Sequence, residues 1–345
     1  MFDVLRLKTG AAIVSMAAFV LAFAAAPVRG NDSSAELTNS GLIFVTNPDV
    51  EMRAEDLFIS AEEVRVRYRF FNKLQRDVTT LVAFPMPEIR IDSMETNISV
   101  PTEDPVNILA FETRVDGKQV AAEVEQRVLA AGIDRTALLR KLGIPLAPHL
   151  KATNEALDRL PQAKWNELIQ LGLAEIEEFD AGKGMEKHLG ARWALQTTYY
   201  WLQTFPAGKE IVVEHRYKPS VGATVGTSYG APYATKDAAY EAQLRKYCID
   251  KDFLAAIARA TKNAKPEFGV PFQEQRIEYI LKTGANWSGP IGDFRLVVDK
   301  GEPENLVSFC GENVRKTGPT RFEMTKKDFL PDGNLAIVIL KRVSN

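Results

Sequence analysis

The pattern Gly226-Thr-Ser-Tyr-Gly230 has the spacing of a serine-hydrolase nucleophile elbow. That chemistry needs a strand that runs into Ser228, a helix that leaves it directly and a histidine later in the chain. Here Ala231-Pro232 follows the pattern, and all three histidines precede the serine: His149, His188 and His215. A glycine-rich loop is therefore the better interpretation, and the sequence predicts no catalytic residue.

Metal and cofactor sites have signatures that this sequence lacks. The histidines do not have the spacing of paired ligands on one helix or hairpin. The sequence contains no EF-hand loop, phosphate-binding loop or dinucleotide fingerprint. We therefore expect no metal and no cofactor. His215 lies on a predicted strand beside Tyr217, and it is the histidine best placed for a binding role.

Aromatic residues form a second group with chemical potential. In Tyr199-Tyr-Trp201, the first and third rings share one face of a predicted strand, because side chains alternate along a strand. Such rings stack on sugars, so the candidate binding residues are Tyr199, Trp201, His215 and Trp287. The alternative, which we favour, is that these aromatic rings belong to the core of a sandwich, with one aromatic residue at an interface.

Arginines alternate with apolar residues between Val64 and Phe70. A period of two predicts a strand whose apolar face, with Val64, Val66, Tyr68 and Phe70, points to a core. Its other face carries Arg65, Arg67 and Arg69, which could bind an anionic glycan or a lipid headgroup. Alternatively, these arginines pair with acids on a neighbouring strand. The acids available nearby are Glu51, Glu55, Glu62 and Glu63.

The first thirty residues have the three parts of a secretory signal peptide. Two basic residues precede an apolar run over residues 10–26, and small residues precede the polar segment at Asn31. We expect cleavage after Gly30, with Ala26 as the second choice, and an uncleaved anchor helix is the alternative. No later apolar run is long enough to span a membrane. The sequence thus predicts an exported protein, either periplasmic or secreted.

The chain has two cysteines, Cys248 and Cys310. An even number of cysteines in an exported chain favours one disulfide, and the alternative is a pair of buried free thiols. The bridge would join the end of a predicted helix to the end of a predicted strand.

Apolar periodicity divides the chain into segments of different type. Strand patterns reach residue 118, helical spacing begins with Val120, Val124 and Val128, and strand patterns return near residue 191. We predict a mainly β fold with an α insertion (α+β), built from two antiparallel sandwich-like domains. The predicted segments are a signal peptide (1–30), an N-terminal β-sandwich domain (31–118 and 191–232), a helical insertion (119–190), a helical linker (233–265) and a C-terminal β-sandwich domain (266–345).

Short motifs along the chain resemble, in their order, an exported bacterial family known as domain of unknown function 4424. The motifs are Asn31-Asp-Ser33, Glu55-Asp-Leu57, Tyr68-Arg-Phe-Phe-Asn72, Phe84-Pro-Met-Pro87, Tyr199-Tyr-Trp201, Phe205-Pro206, His215-Arg-Tyr217 with Pro219, Tyr247-Cys248, Thr283-Gly-Ala-Asn-Trp-Ser-Gly-Pro-Ile291, Asp293-Phe294 and Phe309-Cys310. The resemblance implies an exported bacterial protein with both cysteines matched, and it implies no activity. The motifs at Tyr68 and Phe84 are also similar to the opening of vault/inter-α-trypsin β-sandwich domains.

Composition limits the classes of partner. The hydrophobic fraction of 46% is that of a folded protein, and the formal net charge of -2 gives no electrostatic reason to expect nucleic acid as a partner. Our leading hypothesis is a non-enzymatic binding or scaffold module for an envelope protein or glycan. The alternative is an envelope hydrolase in which carboxylates such as Glu55 and Asp56 act with His215 in one cleft.

Overall fold

The structure is a computed structural model that describes residues 31–38, 41–91, 97–180, 182, 184–264 and 269–343. The predicted signal peptide lies outside these residues, and export stays a prediction. In the described part of the chain, no helix is long and apolar enough to cross a membrane.

Strands form most of the regular structure. The first eleven strands are β1 (Ser33–Thr38), β2 (Gly41–Val45), β3 (Val50–Ile59), β4 (Val64–Asn72), β5 (Val78–Pro85), β6 (Ile89–Arg90), β7 (Asn97–Ser99), β8 (Glu112–Val115), β9 (Lys118–Val120), β10 (Glu123–Ala130) and β11 (Ile133–Asp134). The remaining strands are β12 (Ala174–Asp180), β13 (Met185–Ala191), β14 (Ala194–Phe205), β15 (Glu210–Tyr217), β16 (Val221–Thr224), β17 (Phe272–Tyr279), β18 (Ile291–Asp299), β19 (Leu306–Phe309), β20 (Arg315–Lys316), β21 (Arg321–Phe329) and β22 (Leu335–Arg342).

Five α-helices and one short 3₁₀ helix complete the described elements. The α-helices are α1 (Thr136–Lys141), α2 (Lys151–Asp158), α3 (Gln162–Gln170), α4 (Ala238–Lys246) and α5 (Lys251–Ala264), and the 3₁₀ helix is Lys282–Asn286. Asp237 caps α4 by accepting a hydrogen bond from the Tyr240 backbone N–H, and Asp250 accepts one from that of Phe253 at the start of α5.

The strands form three large sheets and one hairpin. A seven-stranded sheet has the order β11-β10-β14-β5-β1-β2, with β6 also paired to β14. An eight-stranded sheet has the order β20-β21-β18-β3-β4-β15-β8-β9, and a five-stranded sheet has the order β19-β22-β17-β16-β7. The hairpin consists of β12 and β13. The fold is thus mainly β with antiparallel, sandwich-like sheets, as the sequence predicts.

Two of the large sheets combine strands from the beginning and the end of the chain. Strand β18 pairs in parallel with β3, and β17 pairs with β16. The largest hydrophobic cluster contains residues from all three large sheets and from α1, α2 and α3. The segments before and after residue 266 therefore share one core. A smaller cluster packs α4 and α5 against the five-stranded sheet.

The predicted helical insertion is only partly helical, and the prediction was wrong at both of its ends. Residues 123–130 form β10, which pairs with β14, and residues 174–191 form the β12–β13 hairpin. The three short helices lie between them. The spacing of Val120, Val124 and Val128 is ambiguous. Side chains four residues apart lie on one face of a strand as well as on one face of a helix.

The disulfide between Cys248 and Cys310 is confirmed. Its Cα atoms lie 5.1 Å apart. Cys248 follows α4 and Cys310 follows β19, so the bridge fixes the helical segment to the edge strand of the five-stranded sheet. The Ser308 hydroxyl adds a 2.8 Å hydrogen bond to the carbonyl oxygen of Tyr247.

The residues directly before β1 are held inside the molecule. Asn31 and Asp32 are fully buried. The 3₁₀ helix and the residue after it hold their backbone: Thr283 donates its hydroxyl to the Asn31 carbonyl at 2.6 Å, and the Trp287 indole N–H donates to the Asp32 carbonyl at 2.6 Å. The start of β1 is therefore tied to an element from the last quarter of the chain.

Candidate functional site

Polar and charged side chains gather on both faces of the eight-stranded sheet. We call the buried group the inner cluster, which consists of Asn31, Asp32, Glu55, Tyr68, His215 and Tyr279. We call the concave surface on the opposite face the arginine groove, which is lined by Arg65, Arg67, Arg114, Arg216, Arg295 and Arg321 together with Asp56, Phe58, Glu112, Glu214 and Glu323.

Alternation along β3, β4 and β15 explains why the two groups lie back to back. Successive side chains of a strand point to opposite faces. Strand β4 places Val64, Val66, Tyr68 and Phe70 in the core. Its arginines Arg65 and Arg67 are exposed and Arg69 is half-buried. The predicted division of this strand into an apolar and a cationic face is confirmed.

Asn31 is the centre of the hydrogen bonds of the inner cluster. Its Nδ2 donates to Glu55 Oε2 at 2.9 Å, and its Oδ1 accepts hydrogen bonds from the Asp32 backbone N–H and from the Tyr68 hydroxyl. The Tyr68 and Tyr279 hydroxyls lie 3.0 Å apart, and Tyr279 donates to Glu55 Oε1 at 3.4 Å. The N-terminal segment, β3, β4 and β17 are thus joined by one buried polar network.

His215 contacts the same network through Asp32. Its Nε2 lies 3.0 Å from Asp32 Oδ1, and both side chains are fully buried. Aromatic rings surround the imidazole, with centroid distances of 4.9 Å to Phe84, 5.0 Å to Phe111 and 5.3 Å to Trp201. His215 therefore orients a buried carboxyl group within an aromatic core.

Burial changes the protonation of the acids in the inner cluster. It raises the pKa of Glu55 to about 8, against the hydrogen bond from Asn31, which lowers this pKa. Burial also raises the pKa of Asp32, while the charge and hydrogen bond of His215 lower it. This pKa favours the protonated form of Glu55 at neutral pH as long as a peptide bond joins Gly30 to Asn31.

The four candidate binding residues all lie in the core. Tyr199, Trp201, His215 and Trp287 are between 1% and 3% exposed. Tyr199 stacks on Phe111 at a centroid distance of 4.3 Å. Buried rings present no face to a sugar, so these residues do not form a stacking surface in this structure. Asp32 links His215 to Trp287, because each of these two residues forms a hydrogen bond with it.

The residues named for a hydrolase do not share an open cleft. Glu55 and His215 are buried, whereas Asp56 lies on the opposite face of the sheet, where its carboxylate contacts Arg295 at 3.0 Å. The Ser228 pattern lies in the segment between β16 and α4, and the described structure has no strand that runs directly into the serine. The structure therefore offers no arrangement in which these groups would act on a substrate together.

The other two histidines have local partners. His188 Nδ1 lies 2.8 Å from Asp158 Oδ2, and its ring stacks on Phe179 at 4.3 Å. His149 Nε2 lies 3.2 Å from the Thr102 carbonyl oxygen. Among the residues that the structure describes, no group of three or more His, Cys, Asp or Glu side chains has the arrangement of a metal site.

The arginine groove has a volume of about 680 Å³. Its lining contains six arginines and four carboxylates, and two further carboxylates at its margin, Glu63 and Asp299, pair with Arg65, Arg216 and Arg321. The guanidinium of Arg65 lies 4.4 Å from the centroid of the Phe58 ring, and that of Arg321 lies 5.9 Å from it. Phe58 therefore supports two cations rather than presenting a free ring face.

One row of charged residues crosses the groove in register. From β18 to β8, neighbouring strands place side chains of alternating sign opposite one another: Arg295, Asp56, Arg67, Glu214 and Arg114. The Arg67 Nε lies 3.4 Å from Glu214 Oε1. Arg114 ends the row, is exposed and forms no ion pair with the side chains that the structure describes.

The acids that pair with the β4 arginines differ in part from those expected. Glu63 was expected, and it lies 3.0 Å from Arg65 and 2.9 Å from Arg216. Arg67 and Arg69 pair instead with Glu214 and Glu210 of β15. Glu55 was wrong as a partner because it points into the core.

Sequence reasoning missed Asn31, Asp32 and Tyr279 as members of the inner cluster. The signal that could have found Asn31 and Asp32 lies in the motifs behind the family resemblance, whereas Tyr279 lies in none of them. The segments that begin at Asn31, Glu55, Tyr68, His215 and Thr283 are far apart in the chain, yet each places at least one residue in or against this cluster.

Comparison with known proteins gives a family and little else. No curated protein matches this chain. One similar solved structure is that of a candidate nutrient-binding protein from Legionella pneumophila, with a TM-score of 0.41 and 17% sequence identity over 90% of this chain and 70% of that one. A similarity of this size carries no argument about function. Residues 30–338 match the family described as domain of unknown function DUF4424, and the chain therefore belongs to that family.

Proposed function

We propose that this protein is a non-enzymatic binding module of the cell envelope and that the arginine groove holds an acidic glycan. The observation that carries the proposal is the charged row across the sheet, which ends in the exposed Arg114, a side chain without an ion pair among the described residues. Exposed ion pairs contribute little to folding stability, so the groove arginines can exchange their partners at small cost.

The chemistry of the groove favours an anionic ligand. Arginine presents a planar fork of N–H donors that fits a carboxylate or sulfate with two hydrogen bonds. Glu63 serves both Arg65 and Arg216, so those two cations share one carboxylate. A second cavity of about 720 Å³ shares Phe58, Glu112 and Arg216 with the groove. The second cavity is lined by Lys218, Lys300 and Lys341 but also by Glu62, Glu63, Asp299 and Glu302, so the proposal places the acidic groups of the glycan in the groove.

A neutral glycan would need exposed aromatic rings to stack on, and the candidate aromatic residues of this protein are buried. Tyr199, Trp201 and Trp287 are closed off, and Phe58 is covered by guanidinium groups. Recognition would therefore depend on charge, and binding should weaken as salt concentration rises. An acidic group on each sugar of the glycan could pair with successive arginines of the groove.

The test is titration calorimetry with polygalacturonate as the acidic probe and dextran as the neutral one. We expect binding of polygalacturonate only, and Arg114→Gln should weaken it about tenfold, the loss of one charge-assisted hydrogen bond. Arg259→Gln removes the same charge from the exposed side of α5 and should leave the affinity unchanged.

Three results would overturn the proposal. The first is equal affinity for both polysaccharides, and the second is an equal effect of the two arginine substitutions. The third is binding to vesicles of phosphatidylglycerol in place of polygalacturonate, which would assign the groove to a lipid surface.

A further inference from the structure

We propose that the protein folds with Asn31 as its first residue and that the new α-ammonium group is the buried cation of Asp32 and Glu55. Water adds across the Gly30–Asn31 peptide bond, which leaves a carboxylate on Gly30 and an amine on Asn31, and the amine takes up a proton. This inference is independent of the function proposed for the arginine groove, since it concerns the opposite face of the sheet.

The first support is the position of Asn31. Signal-peptide signatures predict cleavage directly before this residue, and chain termini are normally exposed and weakly held. Asn31 is instead fully buried, and its side chain and carbonyl oxygen form four hydrogen bonds with Asp32, Glu55, Tyr68 and Thr283. A residue held in this way is an anchored start rather than part of a linker.

The second support is the charge balance of the inner cluster. Two carboxyl groups, Asp32 and Glu55, are buried together, and the basic side chain of His215 contacts Asp32 but not Glu55. The other titratable groups that face them are the hydroxyls of Tyr68 and Tyr279. No lysine or arginine of the described chain takes part, and buried carboxylates need a cation or a proton.

The third support is an unused acceptor. Asp32 Oδ2 is buried and has no hydrogen-bond partner among the described groups. An α-ammonium group has three donors, and it lies only a few covalent bonds from the Asn31 Nδ2 that contacts Glu55. The amine therefore supplies a donor for Asp32 Oδ2 and a positive charge besides that of His215.

The backbone of the 3₁₀ helix packs closely against the Asn31 side chain. A Cβ atom on Gly284 would lie 2.7 Å from Asn31 Nδ2, so only glycine lets the 3₁₀ helix approach so closely. Cleavage after Ala26, the second choice, would leave further residues before Asn31 and no ammonium group in the cluster. Of the two cleavage sites, only the one after Gly30 therefore creates an amine in the inner cluster.

The experiment compares two purified chains: one begins at Asn31, and the other retains Arg29-Gly30 before it. In the chain that begins at Asn31, the amine should resist acylation by an N-hydroxysuccinimide ester until the protein is denatured. Its melting temperature should also exceed that of the extended chain at neutral pH, because the extended chain must keep Glu55 protonated. N-terminal sequencing of the exported protein should give Asn-Asp-Ser.

Matched variants assign the effect to the buried acid. Glu55→Gln should reduce the difference in melting temperature between the two chains, whereas Asp56→Asn, one residue away on the outer face, should preserve it. Acylation of the Asn31 amine in the folded protein as fast as in an unfolded peptide would overturn the proposal. Equal melting temperatures of the two chains across the pH range would do the same. The acylation assay uses the unaltered chain, so it decides the matter even where a variant does not fold.

Discussion

The inner cluster and the arginine groove are built by the same three strands from adjacent residues. Strand β3 supplies Glu55 to one and Asp56 to the other, β4 supplies Tyr68 and Arg67, and β15 supplies His215 and Glu214. The difference between the regions is access to water. In the core, an acid keeps its proton or needs a specific cation, and on the surface the same type of group forms exchangeable ion pairs. A polar residue thus fixes the fold on one face and remains available to a ligand on the other.

The largest expected effect comes from placing a charged residue on the buried face of β4. Val66→Asp places a carboxylate in the core without a partner, and we expect it to lower the free energy of unfolding by about 4 kcal/mol or more. The matched change Arg67→Val, on the outer face, should alter it by no more than about 0.5 kcal/mol. Urea denaturation measures both, and similar losses for the two variants would contradict the division into faces.

The disulfide lies outside both regions, and its removal tests whether they are independent of it. Cys248→Ser should lower the free energy of unfolding by up to about 4 kcal/mol, because the bridge closes a loop of 62 residues in the unfolded chain. We expect α4 and α5 to lose protection against hydrogen exchange before β3 and β4 do. Equal loss of protection in the β3–β4 pair would show that the inner cluster depends on the bridge. Intact mass before and after reduction provides the control.

The smallest effect over one pH unit is a pH dependence of stability, best seen in the chain that retains Gly30. Burial raises the pKa of Glu55 from 4.5 to about 8, so the folded chain holds a proton that the unfolded chain releases. The free energy of unfolding should therefore fall as pH rises from about 4.5 to about 8, by at most about 1.4 kcal/mol per pH unit. Glu55→Gln should reduce this slope, because only Asp32, whose pKa burial also raises, then contributes to it, and Asp56→Asn should keep the full slope. An unchanged slope in Glu55→Gln would assign the titration to another group.

The sequence predicts elements well where one face of a strand is buried and the other is charged. The alternation from Val64 to Phe70 is correct at every position, and Asp116-Gly117, a residue pair typical of hairpin turns, joins β8 and β9 with positive φ at both residues. Strand β10 escaped prediction because valines four apart satisfy both periodicities. The inner cluster escaped it for another reason. A polar Asn-Asp-Ser segment predicts exposure unless the remote residues that satisfy it, Thr283 and Trp287, are known to be adjacent.

The pairing of β3 with β18 has a consequence for how the chain reaches its folded state. Strand β3 lies near the start of the chain and β18 near its end, yet the two are neighbours in the middle of the eight-stranded sheet. Contacts between residues so distant in sequence make folding slow, because closing the long loop between them costs entropy before the contact forms. Until β18 pairs with it, β3 has an open edge, and such an edge can pair with other chains. We therefore expect the purified chain to refold slowly and to aggregate more as the protein concentration during refolding rises.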